Sequence, residues 1–285
     1  MRETSLRATA AAGADVVLLA AAYLHVPSRR LRALVRGQER DLAEWVAQDS
    51  ARKVAHARHE AKAALQRLHK FGARLVTIAS PEYPAGLHEL DDPPPFLCVR
   101  GVLPQGGLGI VGSRTPPEDA ASFAREFAAA CKMPVVSGLA VGVDAAAHHG
   151  ALDAGAPTLA YVGTGIGVTY PAEHRALEEE IVRRGGAVAG ERLPEEPVTK
   201  WALVHRDRLQ AAHAEAIVLI ASEIDGGAMQ TLRFAQKLGR PRFTLDAQGG
   251  SHYAGNAQAR ADGAIPLPFD VEAALKVLRA NLRSR

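Results

Sequence analysis

The chain has 285 residues, 47% of them hydrophobic, and a formal charge of only +3 from 34 basic and 31 acidic side chains. That size and composition suit one large globular domain with a smaller companion, and the near balance of charge excludes a globally basic field, so any nucleic-acid surface must be a local patch. Cys98 and Cys131 form no metal-ligand spacing and read as buried free thiols of a reducing cytoplasm, and no apolar run approaches the ~18 residues a membrane span needs.

Arg2 and Arg7 ahead of the apolar run at 16–24 imitate a secretory leader. Gly13 and Asp15 stand at the start of that run, however, and no small-residue cleavage site follows in His25-Val26-Pro27, so it is read as a buried helix. Residues 1 to about 70 are predicted all-helical, with further segments at 31–35, 42–46 and 52–70. In the last of these Val54, Ala57, Ala61, Ala64, Leu65 and Leu68 recur at helical spacing, while Arg52, Lys53, Arg58, Lys62 and Arg67 make a basic, solvated outer face. His56 and His59 lack a third ligand and are not read as a metal site.

A short strand is predicted at 75–79. The Pro-rich connector that follows, from Ser80-Pro81 to Pro93-Pro94-Pro95, puts a domain boundary near 70–100. We divide the chain into a helical unit at 1–72, expected to be removable, and an α/β unit at 73–285. In the second unit, short apolar runs at 108–111, 135–137, 158–162, 187–190, 216–221 and 242–245 alternate with helical patterns. That alternation predicts a parallel sheet covered by helices on both faces. Ligands of such sheets gather at the carboxyl ends of strands, where Gly112, Gly138, Gly163 and Gly226 fall.

Two of these strand ends run into helices through small residues, Gly112-Ser113-Arg114 and Ser137-Gly138-Leu139-Ala140-Val141-Gly142-Val143-Asp144. Each is an anion-ready turn, with backbone N–H groups and the positive end of a helix behind them. Thr115-Pro116-Pro117-Glu118 reads as a capping box opening the first helix, whose Phe123 and Phe127 share a face; the second helix is predicted at 144–154 with Gly155 as its stop. Gly226-Gly227, with Thr231 one turn on, makes a third phosphate-compatible helix start. Asp144 and His148 share a helix face and are read as a hydrogen-bonded structural pair. Trp201, His205, Arg206 and Arg208 are predicted on one helix that can hold phosphates and stack on bases. The run Gly163-Thr164-Gly165-Ile166-Gly167 is not a dinucleotide fingerprint, and no P-loop motif occurs.

Taken in order, Gly112-Ser113-Arg114, Ser137-Gly138 to Asp144 with Ala147-His148, Tyr170-Pro171, and Gly226-Gly227 with Thr231 resemble the DNA-processing family called DprA or Smf. Tyr83-Pro84, Asp92-Pro93-Pro94 and Gly101 fit the same pattern upstream, so the resemblance runs from about residue 12 to 265. It implies an extended Rossmann-like domain behind a small helical domain of SAM or helix-hairpin-helix type. It also implies a cytoplasmic homodimer that binds single-stranded DNA, protects it and loads a RecA-type recombinase during natural transformation, without cofactor or catalysis. On this resemblance Arg114 matches the family's GSR arginine, and Arg206 and Arg208 match the flanking arginines of its RNR motif. Asp207 replaces the central Asn and puts a negative charge between two phosphate-binding arginines. Further departures are His205, Gly190-Glu191 and Gly226-Gly227-Ala228.

The residues expected to bind DNA or phosphate are therefore Gly112, Ser113, Arg114, Ser137, Gly138, Gly142, Asp144, His148, Arg206, Arg208, Gly226, Gly227 and Thr231, with the three arginines converging on one groove. The alternative is a nucleotide-processing relative of the lysine-decarboxylase-like phosphoribohydrolases, or a nucleotide sensor of the same broad fold. The processing reading lacks its glutamate, since Thr231 is followed by Leu232-Arg233-Phe234.

Overall fold

The computed structural model describes residues 14–36, 51–247 and 249–282; the helix expected at 42–46 lies outside them. Helices α1 (residues 14–23), α2 (Ser28–Val35) and α3 (Ala51–Lys70) precede strand β1 (Ala73–Thr77). Strands β2 (Phe96–Gly101), β3 (Leu108–Val111), β4 (Val135–Ser137), β5 (Thr158–Tyr161), β6 (Ala187–Gly190), β7 (Ala216–Leu219), β8 (Arg242–Leu245) and β9 (Ile265–Leu267) complete one sheet. Its order is β1-β2-β6-β5-β4-β3-β7-β8-β9, parallel from β6 to β9, with β1 and β2 antiparallel at one edge. The predicted parallel sheet with helices on both faces is what the chain forms. The edge hairpin of β1 and β2, and β9 with Pro266 on the opposite edge, are additions; an edge is where a residue without an N–H donor is tolerated.

The central strands are short and wholly buried, and their side chains alternate between faces. Val111, Leu159, Tyr161, Ile217 and Leu219 point to one side, under α8 (Asp207–His213), α9 (Gly227–Lys237) and α10 (Ala254–Ala261). Leu108, Ile110, Val135 and Val218 point to the other, under α4 (Glu118–Cys131), α5 (Val143–Asp153) and α11 (Val271–Leu282). Phe123 and Phe127 share the inner face of α4 as their spacing requires, with ring centroids 5.6 Å apart. The capping box does not form. α4 begins behind Pro117 with no side-chain cap, and the Ser113 hydroxyl instead accepts from Thr115 N–H at 3.1 Å.

Leu18 and Leu19 of α1, Leu31 of α2, and Ala57, Ala61, Ala64 and Leu68 of α3 form one apolar cluster with Phe96, Cys98, Ala160 and Val188 of the sheet and with Leu177 and Ile181 of α6 (Arg175–Arg183). The boundary expected at 72/73 thus lies between elements that share a core, and a chain cut there would open that sheet face to water. Both cysteines are free and buried, as expected. Among the described residues no helix is long and apolar enough to cross a membrane.

Candidate anion cleft at the strand tips

From β3 the chain winds outward through β4, β5 and β6 and then crosses back to place β7 on the other side of β3, so the crevice between the carboxyl ends of β3 and β7 is the switch point at which doubly wound sheets take ligands. A cleft of about 450 Å³ opens there. One wall is the turn after β3, Gly112 to Thr115. The opposite wall is Ser222, Glu223 and Asp225 with the start of α9, and the floor carries Asp144, Arg206, Asp207, Gln210 and Thr231. Gly226 precedes α9 with no side-chain cap, which leaves the first N–H groups of that helix for solvent or an anion.

The two turns predicted from sequence lock each other. Val143 N–H donates to Ser113 O at 3.1 Å, and Gly142, at φ +79°, lies so close that a Cβ there would fall 2.4 Å from the same carbonyl. Leu139 also holds a positive φ, +74°, with its side chain fully buried in the core. Gly138 is fixed by a different constraint, since a Cβ on it would meet Arg206 Nη1 at 1.7 Å.

Arg206 is buried. Nη1 donates to Tyr161 O at 3.2 Å, Nε lies 3.2 Å from Asp207 Oδ1 without the alignment of a hydrogen bond, and Nη2 is 4.0 Å from Asp144 Oδ2. Burial dominates both carboxyls: it lifts Asp144 above its ordinary value despite Arg206 and an N–H from Ala140, and it pushes Asp207 up to about 6 against the pull of Arg206. The cleft is of mixed sign, with Arg114, Lys200 and Arg206 facing Asp144, Asp207, Glu223 and Asp225. Only Arg114 and Lys200 among those cations are exposed.

Most residues expected to meet phosphate line this cleft or its neighbour: Gly112, Ser113, Arg114, Asp144, Arg206, Gly226, Gly227 and Thr231 the first, Gly138 the second. Gly142 shapes the turn from behind. Ser137, His148 and Arg208 are not brought there. Ser137 Oγ donates to Ile110 O at 2.7 Å between strands, and His148 is sealed with Nδ1 2.7 Å from Thr158 Oγ1. His148 is not bonded to Asp144; burial lowers its imidazole to about 3, so it sits neutral in the core.

The helix predicted to carry both arginines breaks at Arg206 into α7 (Lys200–His205) and α8, and Arg208 turns inward to a bidentate pair with Glu191, at 3.0 and 2.6 Å. The three arginines therefore do not converge; Arg114 and Arg206 do. Sequence reasoning missed Lys200, Gln210, Glu223 and Asp225. The last two stand just ahead of Gly226-Gly227, where the run Glu-Ile-Asp-Gly-Gly could have marked an acidic rim.

Fold and cleft together define a Rossmann-like α/β protein with an anion-ready crevice at the strand tips. Over residues 74–278 the chain matches the family model of DNA recombination-mediator protein A, and it belongs to that family. It is 32% identical over 182 residues to the protein Smf of Synechocystis sp., covering 60% of this chain and 46% of that one. It is 30% identical over 168 residues to DNA processing protein DprA of Streptococcus pneumoniae, covering 57% and 59%. The chain thus spans about half the length of the curated relatives it matches. Among solved structures, DprA from Streptococcus pneumoniae superposes with a TM-score of 0.70 at 22% identity, over 89% of both chains. DprA from Helicobacter pylori, described for its single-stranded DNA binding mode, gives 0.65 at 22% identity over 74% of this chain and 98% of that one. At such identities the likeness speaks for the fold.

Proposed function

We propose that this chain binds single-stranded DNA along the strand-tip cleft, as a cytoplasmic homodimer that protects the strand and passes it to a RecA-type recombinase, with no catalytic step of its own. The observation that carries the reading is the exposed pair Arg114 and Lys200 opening on the same cleft as the uncapped start of α9, in a chain of the recombination-mediator family. Charges from two elements and oriented N–H groups from a third hold a phosphate backbone without reading sequence. Trp201, 64% exposed on α7 and stacked on His205 with ring centroids 4.2 Å apart, adds a platform for a base at the rim. Ser137, His148 and Arg208 support this surface from within, and Gly142 sets its turn.

Fluorescence anisotropy with a labelled single strand, a duplex and a mononucleotide tests the reading, beside light scattering and a recombinase-loading assay. Tight, salt-sensitive binding of the single strand over the duplex, by a dimer, is the expected result. Binding of the mononucleotide alone would replace it with the nucleotide-binding reading, which the cleft's volume of about 450 Å³ favours because it falls in the small-molecule range.

A further inference from the structure

A second, smaller pocket of about 210 Å³ adjoins the cleft, and the two share Arg114, Ala140, Leu203 and Arg206 as a common wall. Its remaining lining is mostly apolar or backbone: Gly138, Val141, Val162, Gly163, Tyr170 and Pro171, with the Glu173 carboxylate at the rim. Tyr170 is 41% exposed, so its ring forms the outer lip and is not part of the core. The floor is stiff. His174 Nδ1 lies 2.8 Å from Leu139 O, which ties the lip segment to the turn after β4, and Gly138 sits directly on the Arg206 guanidinium.

Apart from the two arginines shared with the cleft, such walls offer a phosphate nothing. A flat, partly apolar group with polar edges gains from them, because it can lie between a tyrosine ring and aliphatic side chains while its edges meet a carboxylate and backbone groups. The volume admits one such group, and the shared wall places it next to the cations of the cleft. Resting on the strand-binding reading above, we propose that this pocket takes a single nucleobase turned out of the strand, while the phosphates on either side of it lie in the larger cleft against Arg114. Glu173 offers only acceptor oxygens when ionised, so the base meets it with a donor, an exocyclic amino group or a ring N–H.

The test uses the full chain and two forms of one oligonucleotide, intact and abasic at a central position, with affinities read by anisotropy. The intact strand is expected to bind about five- to tenfold more tightly than the abasic one, the lower end of what one base stacked on an aromatic side chain contributes. Tyr170→Ala, which removes the lip, and Val141→Phe, which fills the pocket from a half-buried position away from the larger cleft, should each weaken the intact strand by a similar factor and the abasic strand much less. A 2-aminopurine at the central position should change its fluorescence on binding wild type and not on binding Val141→Phe. The intact-to-abasic ratio and the 2-aminopurine signal of wild type need no variant, so a misfolded substitution does not blunt the test. Equal affinity of wild type for intact and abasic strands, with Arg114→Ala still weakening both, overturns the base pocket and leaves strand binding standing. If wild type binds no strand, both readings fall.

Discussion

Arg206 and Arg208 stand two residues apart, are equally buried, and each faces carboxylates, yet the two clusters behave in opposite ways. Around Arg208 the geometry is closed. Both Nη atoms engage both oxygens of Glu191, and His205 Nδ1 lies 3.0 Å from the same carboxylate. Burial would raise Glu191, but the bond from His205 and the charge of Arg208 outweigh it, and its carboxyl sits below the ordinary value. Around Arg206 the geometry is loose, and burial wins at both Asp144 and Asp207. Alignment, more than the mere presence of an opposite charge, decides whether a buried carboxylate is stabilised. The Glu191 cluster therefore acts as a structural clasp, while the Asp144–Arg206–Asp207 cluster keeps incompletely neutralised charge facing the cleft.

The largest effect should come from breaking the clasp. Arg208→Ala leaves the largely buried Glu191 carboxylate with His205 as its remaining charged partner, and is expected to cost about 3–5 kcal/mol of stability, seen as a large drop in melting temperature. Adding Glu191→Leu should recover much of it, since the uncompensated charge is then gone. A folded Arg208→Ala protein with unchanged melting temperature and weakened DNA binding would instead return Arg208 to the phosphate-binding set.

A smaller effect of opposite sign is expected at Asp207. Its carboxyl titrates near 6 in the fold against an ordinary 3.8, so the folded state holds this proton more tightly. The associated stability is fully present below about pH 4 and is lost as the pH rises through about 6. Asp207→Asn should therefore raise stability by about 3 kcal/mol well above pH 6 and by little near pH 4. His148 and His213, lowered by burial to about 3 and about 4, work the other way: their contribution is present above the ordinary 6.5 and lost as the pH falls. They are common to both proteins and cancel in the difference. Melting curves for the pair that stay parallel from pH 4 to 8 would show that Asp207 does not titrate as its burial requires.

The legible parts of this molecule are those whose signal is local. Apolar runs such as 108–111 and 216–221 announced the parallel strands, and glycines at their ends marked the crevice, because a tight turn against a helix start restricts side chains whatever surrounds it. Phe96 to Gly101 was hidden among prolines, since nothing in so short a run shows that it will pair antiparallel with both 73–77 and 187–190. Arg208 was illegible for a related reason. Its partner lies 17 positions away, and two residues along a helix already face opposite sides, so the spacing that joins Arg206 and Arg208 in sequence separates them in space. The base-sized pocket was invisible too, because Val141, Val162, Tyr170 and Leu203 come from four separate segments.

The smallest effect sharpens the comparison from outside both clusters. Arg114 is exposed on the turn after β3, lines both cavities, and takes part in neither buried pair; its charge favours the Asp207 carboxylate, but as the least of the influences on it. Arg114→Ala should leave the melting temperature unchanged, weaken binding of all single strands alike, and reduce the slope of log affinity against log salt by about 0.7, the release from one phosphate contact. Asp207→Asn should move affinity the other way at neutral pH, because it removes a negative charge from the same cleft, and the gain should shrink at high salt as screening grows. Lowering the pH through about 6 should tighten wild-type binding for the same reason and leave Asp207→Asn flat. The two arginines and the aspartate then separate cleanly: Arg208 in the melting curve alone, Asp207 in both measurements with opposed pH dependence to the histidines, and Arg114 in the salt slope alone. An Arg114→Ala protein with an unchanged slope would mean that the strand does not pass through this cleft.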